Sequence, residues 1–154
     1  MLTRNTTATF IGHSKCYGVN PREVRGEIIK LIEYGVCDFL CGGMGQFDEM
    51  CAGLVAELQG TYRDIHSYLV IPYLTFKVNN DKLYDSIIYP EGFERYHFKA
   101  AIPARNRYLV DNSIYAVCYV THEWGGAART FARAKKKGLT VINLGDRKND
   151  KNSL

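Results

Sequence analysis

Short, nearly continuous apolar runs alternate along this chain with stretches whose apolar residues return every three or four positions. These are the rhythms of buried strands and of amphipathic helices. The runs are Thr7–Ile11, Val36–Cys41, Tyr68–Ile71, Ile114–Val120 and Thr140–Leu144, each of strand length. After the first run, Asn20-Pro21-Arg22-Glu23 spells a helix start, with Asn20 as N-cap, Pro21 at the first helical position and Glu23 in the capping-box place. Val24, Ile28, Leu31 and Ile32 follow at helical spacing, and Gly35 suits the stop. A second helix carries Phe47, Cys51, Leu54, Val55 and Leu58 on one face and ends near Gly60. A helical region is expected from about Phe93 to Asp111, interrupted or restarted at Pro103, which has no N–H for the ladder; another runs from Ala127 to Lys137. Between Tyr73 and Gly92 the pattern is irregular: Asn79-Asn80-Asp81 is turn-like, and Ser86-Ile87-Ile88-Tyr89 is a short apolar run before Pro90.

Strands alternating with helices require crossover connections and parallel pairing. The expected fold class is therefore α/β, a Rossmann-like three-layer sandwich with a mainly parallel five-stranded sheet in the order 3-2-1-4-5. No repeat, linker or low-complexity block divides the chain, so residues 1–145 read as a single domain and 146–154 as a polar C-terminal tail. Hydrophobic residues at 46% and charged residues at 23% are ordinary for a globular protein. No apolar run approaches the ~18 residues of a membrane span, and the opening residues lack the apolar core of a secretory signal. The expected location is the cytosol, with no membrane partner.

Two glycine-rich turns, Gly42-Gly43-Met44-Gly45 and Trp124-Gly125-Gly126-Ala127, each join an apolar run to an amphipathic stretch. A helix start exposes unpaired N–H groups and the positive end of the peptide dipole, and glycine lets an anion come close to them. In an open parallel sheet, ligands bind beyond the carboxyl ends of the strands where strand order reverses. Gly12-His13-Ser14, Gly42 to Gln46 and Thr121 to Gly126 would meet there.

Other residues admit both a chemical and an ordinary role. Asp48 and Glu49 complement the dipole of the second helix, or one of them touches a ribose hydroxyl or serves as an acid/base. Thr130 can donate to phosphate or back-bond along its helix. Arg105 and Arg107, two apart on a helix, point to different sides; Arg107 and Asp111 have ion-pair spacing, while Arg105 or Asn106 could face a ligand. His13 follows the first strand and could touch phosphate, and Trp124 is the aromatic side chain best placed to stack on a base. The five cysteines lack metal-site spacing, so no metal is expected. Net charge is +4, and Arg133 with Lys135, Lys136 and Lys137 forms a basic helix end that suits either the helix dipole or single-stranded DNA.

The blocks Phe10-Ile11-Gly12-His13, Gly42 to Asp48, Ile88-Tyr89-Pro90-Glu91, Arg105-Asn106-Arg107 with Asp111, Trp124 to Ala127 and Val141 to Leu144 occur in order over nearly the whole chain. As a set they resemble the SLOG superfamily, most closely its small bacterial and phage YpsA-like members. Relatives of that superfamily include the DNA-processing protein A family and the "lonely guy" phosphoribohydrolases. The resemblance implies a Rossmann-like fold that recognises nucleotides or nucleotide-derived ligands. The phosphoribohydrolases use a Pro-Gly-Gly-x-Gly-Thr-x-x-Glu turn after an arginine-bearing helix. Here the later turn, Trp124 to Thr130, lacks that glutamate, and Glu49 occupies the spacing only in the earlier turn.

Three functions follow as expectations. The first is binding or sensing of a nucleotide or derivative, with no further cofactor, through Gly12, His13, Gly42, Gly43, Met44, Gly45, Gln46, Arg105, Asn106, Asp111, Trp124, Gly125, Gly126, Ala127 and Thr130. The second is an N-glycosidase-type hydrolase of a nucleoside phosphate or ADP-ribose derivative, with Glu49, Asp48 or Glu91 as candidate acid/base. The third is single-stranded DNA binding. The segment from Tyr73 to Gly92 is open to use as a homo-oligomer interface or a lid.

Overall fold

The computed structural model describes residues 2–146. In chain order the elements are β1 (Thr7–Gly12), α1 (Pro21–Glu33), β2 (Asp38–Cys41), α2 (Gln46–Leu58), β3 (His66–Val70), β4 (Ser86–Ile88), α3 (Phe98–Asp111), β5 (Tyr115–Tyr119), α4 (Gly126–Lys136) and β6 (Thr140–Asn143), with one 3-10 turn before β1 and one on each side of β4. Apart from Asp146, the polar tail expected over 146–154 lies outside the described residues.

The strands form one parallel sheet in the order β4-β3-β2-β1-β5-β6. The five expected strands hold their expected relative order, but the sheet has six. The sixth, β4, is the short Ser86-Ile87-Ile88 run, which extends the edge beside β3. It is held by Asp85, whose Oδ2 accepts from the Ser67 N–H and from Gln59 Nε2, both at 2.7 Å. Its side chains are largely exposed, so the run carries little of the apolar weight by which a strand declares itself.

Alternation along the inner strands sends side chains to both faces of the sheet. Ala8, Phe10, Phe39, Cys41, Val117 and Tyr119 meet α1 and α2, through Val24, Ile28, Leu31, Phe47, Cys51 and Val55. Ile11, Ala116, Cys118 and Val120 meet Val110, Ala128 and Ala134 of α3 and α4. Each large side chain so buried contributes roughly 1.5–3 kcal/mol. The start of α1 is as the sequence spells it: Asn20 Oδ1 accepts from the Arg22 N–H at 3.0 Å and Pro21 opens the helix.

One boundary differs. The break expected at Pro103 is not there; α3 is continuous through it, and the restart lies at His97, whose Nδ1 caps the Lys99 N–H at 3.3 Å. Pro103 removes one ladder hydrogen bond from an exposed face, which the packed opposite face tolerates.

Candidate functional site

At β1 the chain turns to opposite sides of the sheet, with β2 on one flank and β5 on the other. The crevice beyond their carboxyl ends holds a cavity of about 450 Å³. Its walls are the end of β1 with Ser14 and Lys15, Met44 of the β2–α2 connection with Asp48 in the first turn of α2, one face of α3, and the turn from His122 into α4.

The two glycine turns serve different ends. In the first, the room left by each glycine is taken by the chain itself. A Cβ on Gly42 would lie 2.9 Å from Asp48 Oδ2, one on Gly43 2.6 Å from Leu69, and one on Gly45 2.7 Å from the Ser14 Cα; at the end of β1, one on Gly12 would lie 2.4 Å from the Phe47 ring. The Gln46 N–H donates to the Ser14 carbonyl at 2.9 Å, and Gln46 Oε1 accepts from the Cys16 N–H at 3.0 Å, so Gly45 and Gln46 tie two loops together. The anion in this turn is internal: Asp48 Oδ2 accepts from the Gly42 N–H at 3.0 Å. Only Met44 of this turn lines the cavity, beside Asp48. In the second turn, nothing lies within 4 Å of the Cβ positions of Gly125 or Gly126. Gly125 has φ +94°, which favours glycine, and Gly126 is the first residue of α4.

The Gly42 peptide is gripped from both sides. Its N–H meets Asp48, and its carbonyl accepts from Nη1 of Arg105, which also donates to the Val70 carbonyl at 3.1 Å. Nε of Arg105 donates to Asn106 Oδ1 at 3.0 Å, and Nη2 lies 3.1 Å from the Met44 sulfur. Four of its five N–H bonds are thereby engaged. Buried at 2% exposure, Arg105 is a structural clamp at the cavity wall, with its guanidinium also over the Phe76 ring. Burial pushes the Asp48 carboxyl up to about 6, against Arg105 and the N–H groups of Gly42, Met44 and Gly43, which favour its charge. Its Oδ1 is buried and closes no hydrogen bond.

The rim is aromatic. The His13 and His122 rings stack at 3.7 Å, and His122 stacks on Trp124 at 3.7 Å. His13 Nε2 accepts from the Thr121 N–H at 3.0 Å, which fixes the first ring. Burial, and then the adjacent His122, hold the His13 imidazole below its ordinary range. Trp124 ends the stack and is 70% exposed. Lys15 is exposed and also lines the cavity.

The structure thus brings together Gly12, His13, Met44, Asp48, Arg105, Asn106, Trp124, Gly125, Gly126, Ala127 and Thr130. Thr130 back-bonds, its hydroxyl donating to the Gly126 carbonyl at 2.8 Å. Gly42, Gly43, Gly45 and Gln46 stand behind the wall. Glu49 and Glu91 are exposed outside the cavity. Asp111 is also outside it and pairs with Arg133 at 2.9 Å, not with Arg107. Arg105 is buried and Arg107 exposed, the opposite placements their spacing requires. Of the basic helix end, Lys135 to Lys137 lie about 15 Å along α4 from Gly126. His122 and Lys15 had no motif to mark them; a polar aromatic side chain two residues before Trp124, just past a strand end, was the one available signal for His122. Among the described residues no group of three or more His, Cys, Asp or Glu converges as metal ligands, and no helix is long and apolar enough to cross a membrane.

These features define a Rossmann-like parallel α/β protein with one open helix N-terminus and an aromatic rim at its switch-point cavity. Solved structures that share the fold include DNA processing protein A (DprA) from Streptococcus pneumoniae, with TM-score 0.65 and 19% identity over 89% of this chain and 49% of that one. A second is DNA processing protein A from Helicobacter pylori, described for its single-stranded DNA binding mode, with TM-score 0.62 and 13% identity over 89% of this chain and 64% of that one. The chain therefore spans about half to two thirds of these neighbours, and the likeness is one of fold. No protein-family model matches the sequence, and no curated protein matches it significantly.

Proposed function

We propose that the cavity binds a nucleotide, free or as one unit of a single strand, in the manner of a SLOG protein of the YpsA-like kind. The phosphate lies against the N-terminus of α4, where Gly125 and Gly126 leave the N–H groups open and the helix dipole and Lys15 favour negative charge. The base stacks on the outer face of Trp124. The observation that carries the reading is the His13–His122–Trp124 stack, a rigid aromatic column with its last face bare at the mouth of a ligand-sized cavity. The Helicobacter neighbour, whose description names single-stranded DNA, supports the strand form of the ligand. No metal or further cofactor takes part in this reading.

Trp124 is the single tryptophan, so its fluorescence reports the contact directly. Titration with AMP, ADP, ADP-ribose, cyclic nucleotides and oligodeoxyadenylate is expected to quench it saturably with at least one of them. Trp124→Leu should weaken that ligand by about 5- to 150-fold in calorimetry, the worth of one base–aromatic stack. A flat fluorescence response to the whole panel would refute the reading.

Asp48 favours a second reading, N-glycoside hydrolysis. It is the carboxylate on the cavity lining, and a carboxyl pushed up to about 6 suits a general acid. Release of free base that disappears in Asp48→Asn would establish it, and a ligand that quenches Trp124 without being cleaved would reject it.

A further inference from the structure

A second groove of about 330 Å³ continues from the cavity along the crossing of α3 and α4. The two share Ile102, Asn106, Gly126 and Thr130, so the groove opens from the phosphate end of the site. Beyond the shared residues its polar lining is entirely cationic, with Arg107 from α3 and Arg129 and Arg133 from α4.

The charges are arranged along a line. On α4, Arg129 follows Gly126 by about 4.5 Å of helix axis and Arg133 by a further 6 Å or so. Arg133 is held by Asp111, with Nε to Oδ1 at 3.2 Å and Nη2 to Oδ2 at 2.9 Å, and this carboxylate offsets its charge. Arg107 and Arg129 are exposed and form no ion pair among the described residues. Two unneutralised guanidinium forks facing one groove suit a phosphate, which they can hold in bidentate fashion.

We infer that this groove is a second phosphate subsite, with Arg107 and Arg129 taking the phosphodiester next to the nucleotide held in the cavity. The inference rests on the nucleotide reading of the cavity and makes the preferred ligand a strand of at least two nucleotides. A lone mononucleotide fills the first site only. A nucleoside diphosphate carries its second phosphate directly on the first, close to Gly126; a strand carries it farther along the groove, toward Arg129.

The test follows Trp124 fluorescence with 2′-deoxyadenosine 5′-monophosphate, its 5′-diphosphate and the 5′-phosphorylated dinucleotide pdApdA, each at several salt concentrations. The dinucleotide is expected to bind about tenfold more tightly than the monophosphate at low salt. Its log–log salt dependence should be steeper by about 0.7 for the added phosphate contact. The double variant Arg107→Ala/Arg129→Ala should erase both differences and leave monophosphate binding as it was. Equal affinity for monophosphate and dinucleotide would overturn the subsite, as would an equal loss for both ligands in the variant. A gain with the diphosphate but not with the dinucleotide would overturn the strand assignment. Absence of quenching by all three ligands is a different result: with the nucleotides of the wider panel equally silent, it removes the nucleotide reading itself.

Discussion

Asp48→Asn separates burial from hydrogen bonding at the heart of the site. Asparagine keeps an oxygen for the Gly42 N–H and removes the charge. In the wild type, burial raises the Asp48 pKa, while Arg105 and three backbone N–H groups oppose the rise. The balance is a shift from 3.8 to about 6, worth about 3 kcal/mol in the difference between protonation states. The sign follows from linkage. With the folded-state pKa above the unfolded one, the contribution to stability is complete below pH 3.8 and is lost as pH rises through 6. Urea unfolding of both proteins from pH 3 to pH 8 should show the wild type losing about 3 kcal/mol relative to Asp48→Asn across that window. Other titrations, such as that of His13, are common to both proteins and drop out of the difference. A flat difference would show that Arg105 and the backbone donors fully offset burial, and one in which the wild type gains with pH that they outweigh it; either result refutes the reasoning.

The two glycine turns should respond oppositely to a methyl group. Gly42→Ala places a Cβ 2.9 Å from Asp48 Oδ2 and 3.3 Å from Arg105 Cζ, both fixed by hydrogen bonds, and should cost about 1–3 kcal/mol in denaturant unfolding. Gly126→Ala meets nothing within 4 Å, so its stability should stay within about 0.5 kcal/mol of wild type while nucleotide affinity falls; unchanged affinity would remove the phosphate from this helix end. Asp111→Ala breaks a half-exposed pair with Arg133 and should cost under about 1 kcal/mol, with monophosphate affinity unaltered; a large loss of affinity would return Asp111 to the site.

Most of the element order can be read directly from the residue string because its signals are local. The Asn20-Pro21 start of α1, the apolar stripe of α2 and the continuous runs of β1 and β5 each satisfy their own backbone and choose their own buried face. The strand β4 escapes such reading because its pairing depends on Asp85 reaching Ser67 and Gln59, residues far back in the chain. Pro103 misleads for the converse reason: a helix secured by packing on one face survives the loss of one hydrogen bond on the other.

The site divides along the same line. That glycines cluster where strands give way to helices is written in the chain, and so is the placement of Arg105 and Arg107 on different sides of α3. Which glycine leaves room for a guest is not, because that space is defined by side chains elsewhere. Asp48, Leu69 and Ser14 close the first turn, and only folding shows that nothing comparable stands over Gly125 and Gly126. The stack of His13 on His122 likewise joins the ends of β1 and β5, which become neighbours only once the sheet has formed. Helices and strands follow from neighbouring residues, whereas an empty, charged and aromatic-rimmed space exists only through contacts between segments distant in sequence.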